Sequence, residues 1–226
     1  HEDRDITTWF LLDTNPSGDF GTTETQIEKR TMLIDFVTVI SRLLTRHGNR
    51  VGAMMFGNKI QHTIPARGGR LQVLRLVNDM LNQPRLAKSS ITNLKSFLTG
   101  ALNSIKRRSL VFIISDFISE PGWEKPLSLL AQRHEVLAIR LTDPRELELP
   151  DVGMVLMEDA ETGEQLFVDT HDKKFRKRFA EAAQKREQEL NTAFKRAGVD
   201  ALALSTEDDL VRAIVRLAKR RQLARR

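Results

Sequence analysis

Asp13, Asn15 and Ser17 stand at alternate positions in Phe10 to Ser17, FLLDTNPS, where an apolar run stops and oxygen-bearing side chains begin. A strand that ends in a tight loop can turn three such side chains toward one point. Hard cations such as Mg²⁺ are held by oxygens of this kind, with few charged ligands and several waters. The same residue types also build ordinary turns for backbone reasons alone. What favours chemistry is repetition elsewhere in the chain. A second apolar run, Ser109 to Ser115 (SLVFIIS), also ends in a carboxylate, Asp116. Thr92 lies in SSITNL, a predicted helix start ahead of Leu94, Phe97, Leu98, Ala101, Leu102 and Ile105.

Positioning these residues requires a scaffold, and the hydrophobic pattern describes one. Ile6 to Leu12 is nearly continuous in apolar and β-branched residues, as expected of a central parallel strand covered on both faces. Ile27 to Leu44 repeats at helical spacing and closes at Gly48, whereas Arg50 to Phe56 and Lys59 to Ile64 read as a hairpin with its second strand antiparallel at an edge. A helix follows Gly68-Gly69 through Leu81, and another is predicted over Leu127 to Leu130 before a strand from Glu135 to Leu141. Residues 151–168 form an inserted β-hairpin, with Met154 to Met157 and Gln165 to Val168 as its arms. A long helix from about Asp172 carries Phe175, Phe179, Ala182, Leu190 and Phe194, then a strand spans Asp200 to Leu204. The last helix begins near Glu207, capped by Ser205 or Thr206.

Strands alternating with helices imply an α/β fold of three layers, with a mostly parallel central sheet and helices on both faces. Residues 1–226 form one domain. Ligands of such sheets gather at the carboxyl ends of the strands, near the point where strand order reverses. Asp13, Asp116 and the helix start at Thr92 share that edge.

Composition narrows the function classes. A chain of 226 residues, 40% hydrophobic, can bury an ordinary core. With no cysteine, thiol redox chemistry, disulfides and thiolate metal sites are excluded, which fits a reducing, cytoplasmic setting. No apolar run approaches the ~20 residues that cross a bilayer, so this segment is not expected to insert into a membrane. The chain starts only a few residues before its first strand and is expected to be a fragment of a longer protein. The net charge of +6 is concentrated in the last helix, at Arg212, Arg216, Lys219, Arg220, Arg221, Arg225 and Arg226. Without interleaved aromatic residues for base stacking, this reads as a solvated helix end and not as a nucleic-acid surface.

The site pattern resembles the metal-ion-dependent adhesion site of von Willebrand factor type A domains. That motif has DxSxS after the first strand, a Thr in a later loop and an Asp after the fourth strand. The resemblance makes Asp13, Asn15, Ser17, Thr92 and Asp116 the candidate metal ligands. The stretches FLLDTNPSGDFG, RVGAMMFG, TNLKSFL, FIISDFI, DPRELELPDVG, DAETGEQLFVDT and STEDDLVRAIV are similar, in order, to the bacterial MoxR-associated family called domain of unknown function fifty-eight. This similarity covers nearly the whole chain. It implies a von Willebrand A-like fold, a Mg²⁺ site that Mn²⁺ or Ca²⁺ can share, and work beside a MoxR-type AAA+ ATPase. It implies no established catalytic activity. Asn15 departs from the pattern, which has Ser there, and its longer amide would displace a ligand or a water.

The expected function is therefore a non-catalytic interaction module whose metal bridges to an Asp or Glu of a protein partner. An alternative is a phosphotransferase of the dehalogenase type, with a nucleophilic Asp and a second acid two residues later. Asn15 occupies that second place and has no titratable proton, so acid/base work fails there. A basic nucleic-acid scaffold is the third class, resting on charge alone. His1, His47, His62, His134 and His171 are scattered without metal-ligand spacing and are expected at surface or loop positions. Trp9, Met54, Met55 and Trp123 read as core.

Overall fold

The computed structural model describes residues 6–14, 23–57, 60–83, 93–158 and 165–224. In chain order the elements are β1 (Thr7–Asp13), α1 (Thr23–Arg46), β2 (Arg50–Phe56), β3 (Ile60–Arg67), α2 (Arg70–Leu81), α3 (Leu94–Ser104), β4 (Leu110–Ser115), α4 (Glu124–Arg133), β5 (Glu135–Thr142), a 3-10 turn (Pro144–Glu146), β6 (Met154–Glu158), β7 (Gln165–Asp169), α5 (Lys173–Ala197), β8 (Asp200–Ser205) and α6 (Leu210–Ala224). Six strands form one sheet in the order β3-β2-β1-β4-β5-β8, and β6-β7 stand apart as a two-stranded sheet. Among the described strands of the large sheet, only β3, at one edge, runs antiparallel to its neighbour.

The near-continuous apolar strands are explained by helices on both faces. Successive side chains of a strand point to opposite sides, so Phe10 and Leu12 join Phe36, Phe112 and Ile114 in the layer beneath α1, α2 and α6. Leu11, between them, joins Phe56, Phe97, Ile113 and Leu127 in the layer beneath α3, α4 and α5. Ring contacts knit each layer. Phe10 stacks on Phe112 at 5.4 Å and Phe56 on Phe97 at 4.6 Å. Each fully buried side chain of this size stabilises the fold by roughly 1.5–3 kcal/mol. Gly52 lies where the β2-β3 register shifts, and a Cβ there would sit 2.8 Å from both Ala66 N and Ile64 O. No larger residue fits that approach.

The helices follow sequence expectation in some places and depart from it in others. Asn93 caps α3, accepting from Ser96 N at 2.9 Å. The α6 cap is Asp209, whose carboxylate accepts from Arg212 N at 3.0 Å, and not Ser205 or Thr206. Thr206 is drawn instead to Asp143, at 2.7 Å. On α5 the core residue is Ala183, while Ala182 is exposed; Phe175 and Phe179 are half-buried. Trp123 is core, whereas Trp9 is only half-buried. His134, expected at the surface, is 4% exposed, because it closes α4 directly into the buried strand β5. The turns of both hairpins, at 58–59 and 159–164, lie outside the described residues.

Candidate metal centre

Strand order reverses between β1 and β4. From β1 the chain passes through α1 to β2 on one side; α3, on the opposite face, leads into β4 on the other side. Such a switch point, at the carboxyl ends of β1 and β4, is where ligands of open parallel sheets gather. Asp13 ends β1, and Asp116 follows β4 directly.

Both carboxylates are buried, Asp13 at 8% exposure and Asp116 at 6%. Parallel pairing sets Leu12 against Ile114, which brings Ser115 beside Asp13. The Ser115 hydroxyl donates to Asp13 Oδ2 at 2.7 Å and accepts from Phe117 N at 2.9 Å. Asp116 Oδ1 accepts from Ile118 N at 2.9 Å, fixing the first turn of its loop. That loop bends sharply because Phe117 sits at φ 60, in the left-handed region. For a residue with a side chain this costs roughly 1–2 kcal/mol. The cost is offset by burial: the Phe117 ring lies 4.8 Å from Phe194 and 5.7 Å from Trp123.

Two further contacts hold the loop. Leu94 N, in the first turn of α3, donates to Ser119 Oγ at 3.1 Å, so the start of α3 is bound to the chain just beyond Asp116. Arg140 of β5 donates to the Asp116 carbonyl at 3.4 Å and forms an ion pair with Glu187 of α5. On the β1 side, Thr14 remains tied to β2 through its N–H and hydroxyl, both donating to Phe56 O at 2.8 Å.

A third carboxylate stands near. Glu146 is tied to Lys29 of α1 by an ion pair and accepts from Asp143 N at 3.2 Å. Burial raises the Glu146 carboxyl above the ordinary range; Lys29 opposes this, and the nearby Asp116 charge adds to it.

Of the five candidate ligands, Asp13 and Asp116 stand at the carboxyl ends of the adjacent strands β1 and β4. Asn15, Ser17 and Thr92 lie outside the described residues. Among the described residues no group of three or more His, Cys, Asp or Glu side chains is placed to hold a metal ion. The described donors are two carboxylates and one hydroxyl, a hard-oxygen set that fits a cation such as Mg²⁺ and not a soft one. Ser115, Phe117, Ser119 and Lys29–Glu146 are parts of this edge that sequence reasoning missed. Their signal is weak: Ser115 reads as the polar end of an apolar run.

Three layers and a largely parallel sheet whose order reverses between β1 and β4 make the fold von Willebrand factor A-like. The fold is similar to that of the conserved hypothetical protein BatB from Bacteroides thetaiotaomicron, with a TM-score of 0.57 at 13% identity, covering 98% of this chain and 100% of that one. It is also similar to an aerotolerance-related membrane protein from Bacteroides fragilis, with a TM-score of 0.53 at 12% identity, covering 91% and 92% of the two chains. At these identities the likeness is one of fold. The chain belongs to the family described as Protein of unknown function DUF58, which residues 1–189 match. An uncharacterized protein of Mycobacterium tuberculosis is 34% identical over 220 residues, covering 97% of this chain and 68% of that protein. One from Mycobacterium avium is 36% identical over 159 residues, covering 70% and 94%. Among the described residues no helix is long and apolar enough to cross a membrane.

Proposed function

We propose that this chain is a non-catalytic protein-interaction module whose β1/β4 edge holds a divalent cation, Mg²⁺ by preference with Mn²⁺ or Ca²⁺ as substitutes. The observation that carries this reading is the pair of buried carboxylates, Asp13 and Asp116, ending adjacent parallel strands and joined through Ser115. Asp13 and Asp116 would hold the ion with Asn15, Ser17 and Thr92. When bound, the ion supplies a positive coordination position that an incoming carboxylate can fill. The chain's own part is positional. Ser115 orients Asp13, the Ile118 N–H orients Asp116, and the buried Phe117 ring locks the loop that carries both donors.

The proposed partner is a MoxR-type AAA+ ATPase offering an Asp or Glu, in bacterial complex assembly or chaperone-like maturation. The similarity of DPRELELPDVG and its neighbours to the MoxR-associated family supports this choice. Two experiments separate metal from partner. Melting in millimolar Mg²⁺ should raise Tm in the wild type, by mass action on the folded state, and not in Asp116→Ala; an unchanged wild-type Tm would overturn the metal site. Capture of a purified MoxR-type ATPase should weaken with EDTA and with Asp13→Ala. Undiminished capture under both conditions would move the interface away from this edge.

A further inference from the structure

Two exposed faces of the chain carry apolar side chains of complementary surroundings. The first is the outer face of β6-β7. Its register pairs Leu156 with Phe167 and Met154 with Asp169, so Met154, Leu156 and Phe167 share one side. They are 63%, 53% and 73% exposed; on the other side Val155 and Val168 are half-buried and Leu166 is 52% exposed. The surrounding sequence is acidic. From Glu148 to Asp169 there are seven Asp and Glu residues and no Lys or Arg, in a chain of net charge +6; Asp169 shares the side of Met154, and Asp151 pairs with Arg176 of α5.

The second face is on α2. Leu71, Leu74 and Leu81 fall along one side of the helix and are 82%, 53% and 60% exposed. Exposed Arg67 and Arg70 flank them, with Arg75 between. The one acidic residue of α2, Asp79, is bonded to His62 at 3.0 Å and lies 3.9 Å from Arg75. Single exposed leucines are ordinary, but contiguous apolar patches rimmed by charge mark interaction sites. Both faces are exposed in the same molecule, so neither covers the other.

We propose that the β6-β7 face of one molecule docks on α2 of a second copy, with Leu156 and Phe167 seated among Leu71, Leu74 and Leu81. The arginines around α2 then meet the acidic hairpin, and charge complementarity selects this pairing over hairpin against hairpin, which would oppose like charges. The contact is heterologous: each docked pair leaves one hairpin and one α2 open, so assembly extends head to tail. Two short strands against three helical turns bury less than a standard interface, so association is weak and seen at high concentration. It does not require the metal edge.

Sedimentation of the 226-residue chain over a concentration series tests this. The average mass should rise past the dimer with concentration, fall back as salt is raised, and be indifferent to EDTA. Phe167→Asp and Leu74→Asp should each be monomeric, with circular dichroism unchanged because both positions are exposed. Mixed in equal amounts they should form a dimer and nothing larger, since each retains the face that the other lacks. A wild type monomeric throughout would overturn the proposal and leave the hairpin to a different, basic protein. So would a mixture that stays monomeric, or association lost in Phe167→Asp and retained in Leu74→Asp.

Discussion

Asp143 and Asp13 both stand at the carboxyl end of a buried parallel strand, yet the chain treats the two carboxylates differently. Asp143, after β5, is fully buried and closed by the chain's own cation. Arg145 reaches back two residues, its Nε 2.7 Å from Oδ1 and its Nη2 2.9 Å from Oδ2, and Thr206 adds a hydroxyl at 2.7 Å. Burial alone would raise the Asp143 carboxyl, but these bonds outweigh it and hold the pKa at about 2. Arg145 also pairs with Glu28, and Glu146 with Lys29, so one short turn fastens α1 to the ends of β5 and β8. At the β1/β4 edge the contacts described are of another kind. A serine hydroxyl serves Asp13, and a backbone N–H serves Asp116.

The largest expected effect tests the closed end. Asp143→Ala leaves Thr206 and the inner side of Arg145 without their acceptor and should cost about 3 kcal/mol, because breaking a buried, hydrogen-bonded charge pair is expensive. Denaturant unfolding should show the loss with or without Mg²⁺. Asp116→Asn should cost much less in EDTA, and equal losses at the two edges would break the comparison. The pH dependence has a defined sign. The folded pKa of Asp143 is depressed, so its stabilisation is present above the unfolded value of about 3.9 and is lost as pH falls toward about 2.

The other end of β5 sharpens the contrast with a smaller effect. His134 is buried, and among the described residues neither ring nitrogen has a hydrogen-bond partner. Burial lowers its pKa, and Arg133 and Arg108 push the same way. The folded state therefore disfavours the imidazolium, and protons bind preferentially to the unfolded chain. Stability should fall as pH drops below about 6.5. Unfolding free energies measured between pH 7 and pH 5 should slope in the wild type and flatten in His134→Leu; an unchanged slope would assign the effect to another group.

These regions were unequally legible in the sequence. Continuous runs such as FLL and LVFII announce buried strands, and Asp13 and Asp116 are visible as the points where those runs stop. The bond from Ser115 to Asp13 spans 102 residues and leaves no local pattern. Asp143 and Glu146 have capping-box spacing, readable in DPRE, but Thr206, Glu28 and Lys29 are supplied from distant elements. Thr206 looks like the α6 cap until its attachment to Asp143 is known, and Asp209 takes the cap instead. His134 is hidden by its polar neighbours Arg133 and Glu135, which suggest a surface turn. Nothing about a phenylalanine advertises the positive φ of Phe117.

The smallest expected effect concerns Asn15, where this chain departs from the DxSxS pattern that it otherwise resembles. A serine hydroxyl sits one bond from Cβ, whereas the asparagine carbonyl oxygen lies one atom farther out. Both are neutral oxygen donors, so exchanging them alters reach and leaves charge unchanged. Mg²⁺ holds its ligands at 2.0–2.1 Å in near-ideal octahedral geometry and tolerates misplaced donors poorly. Asn15→Ser should therefore tighten Mg²⁺ binding by a few-fold, about 1 kcal/mol or less, with unfolding in EDTA unchanged. Ca²⁺, with longer and more flexible coordination, should respond less. Calorimetry on both ions distinguishes the outcomes. Weaker Mg²⁺ binding in Asn15→Ser would mean that the amide is the better ligand at this position. An equal gain for both ions would mean that the substitution relaxes the loop and leaves the reach of the donor immaterial.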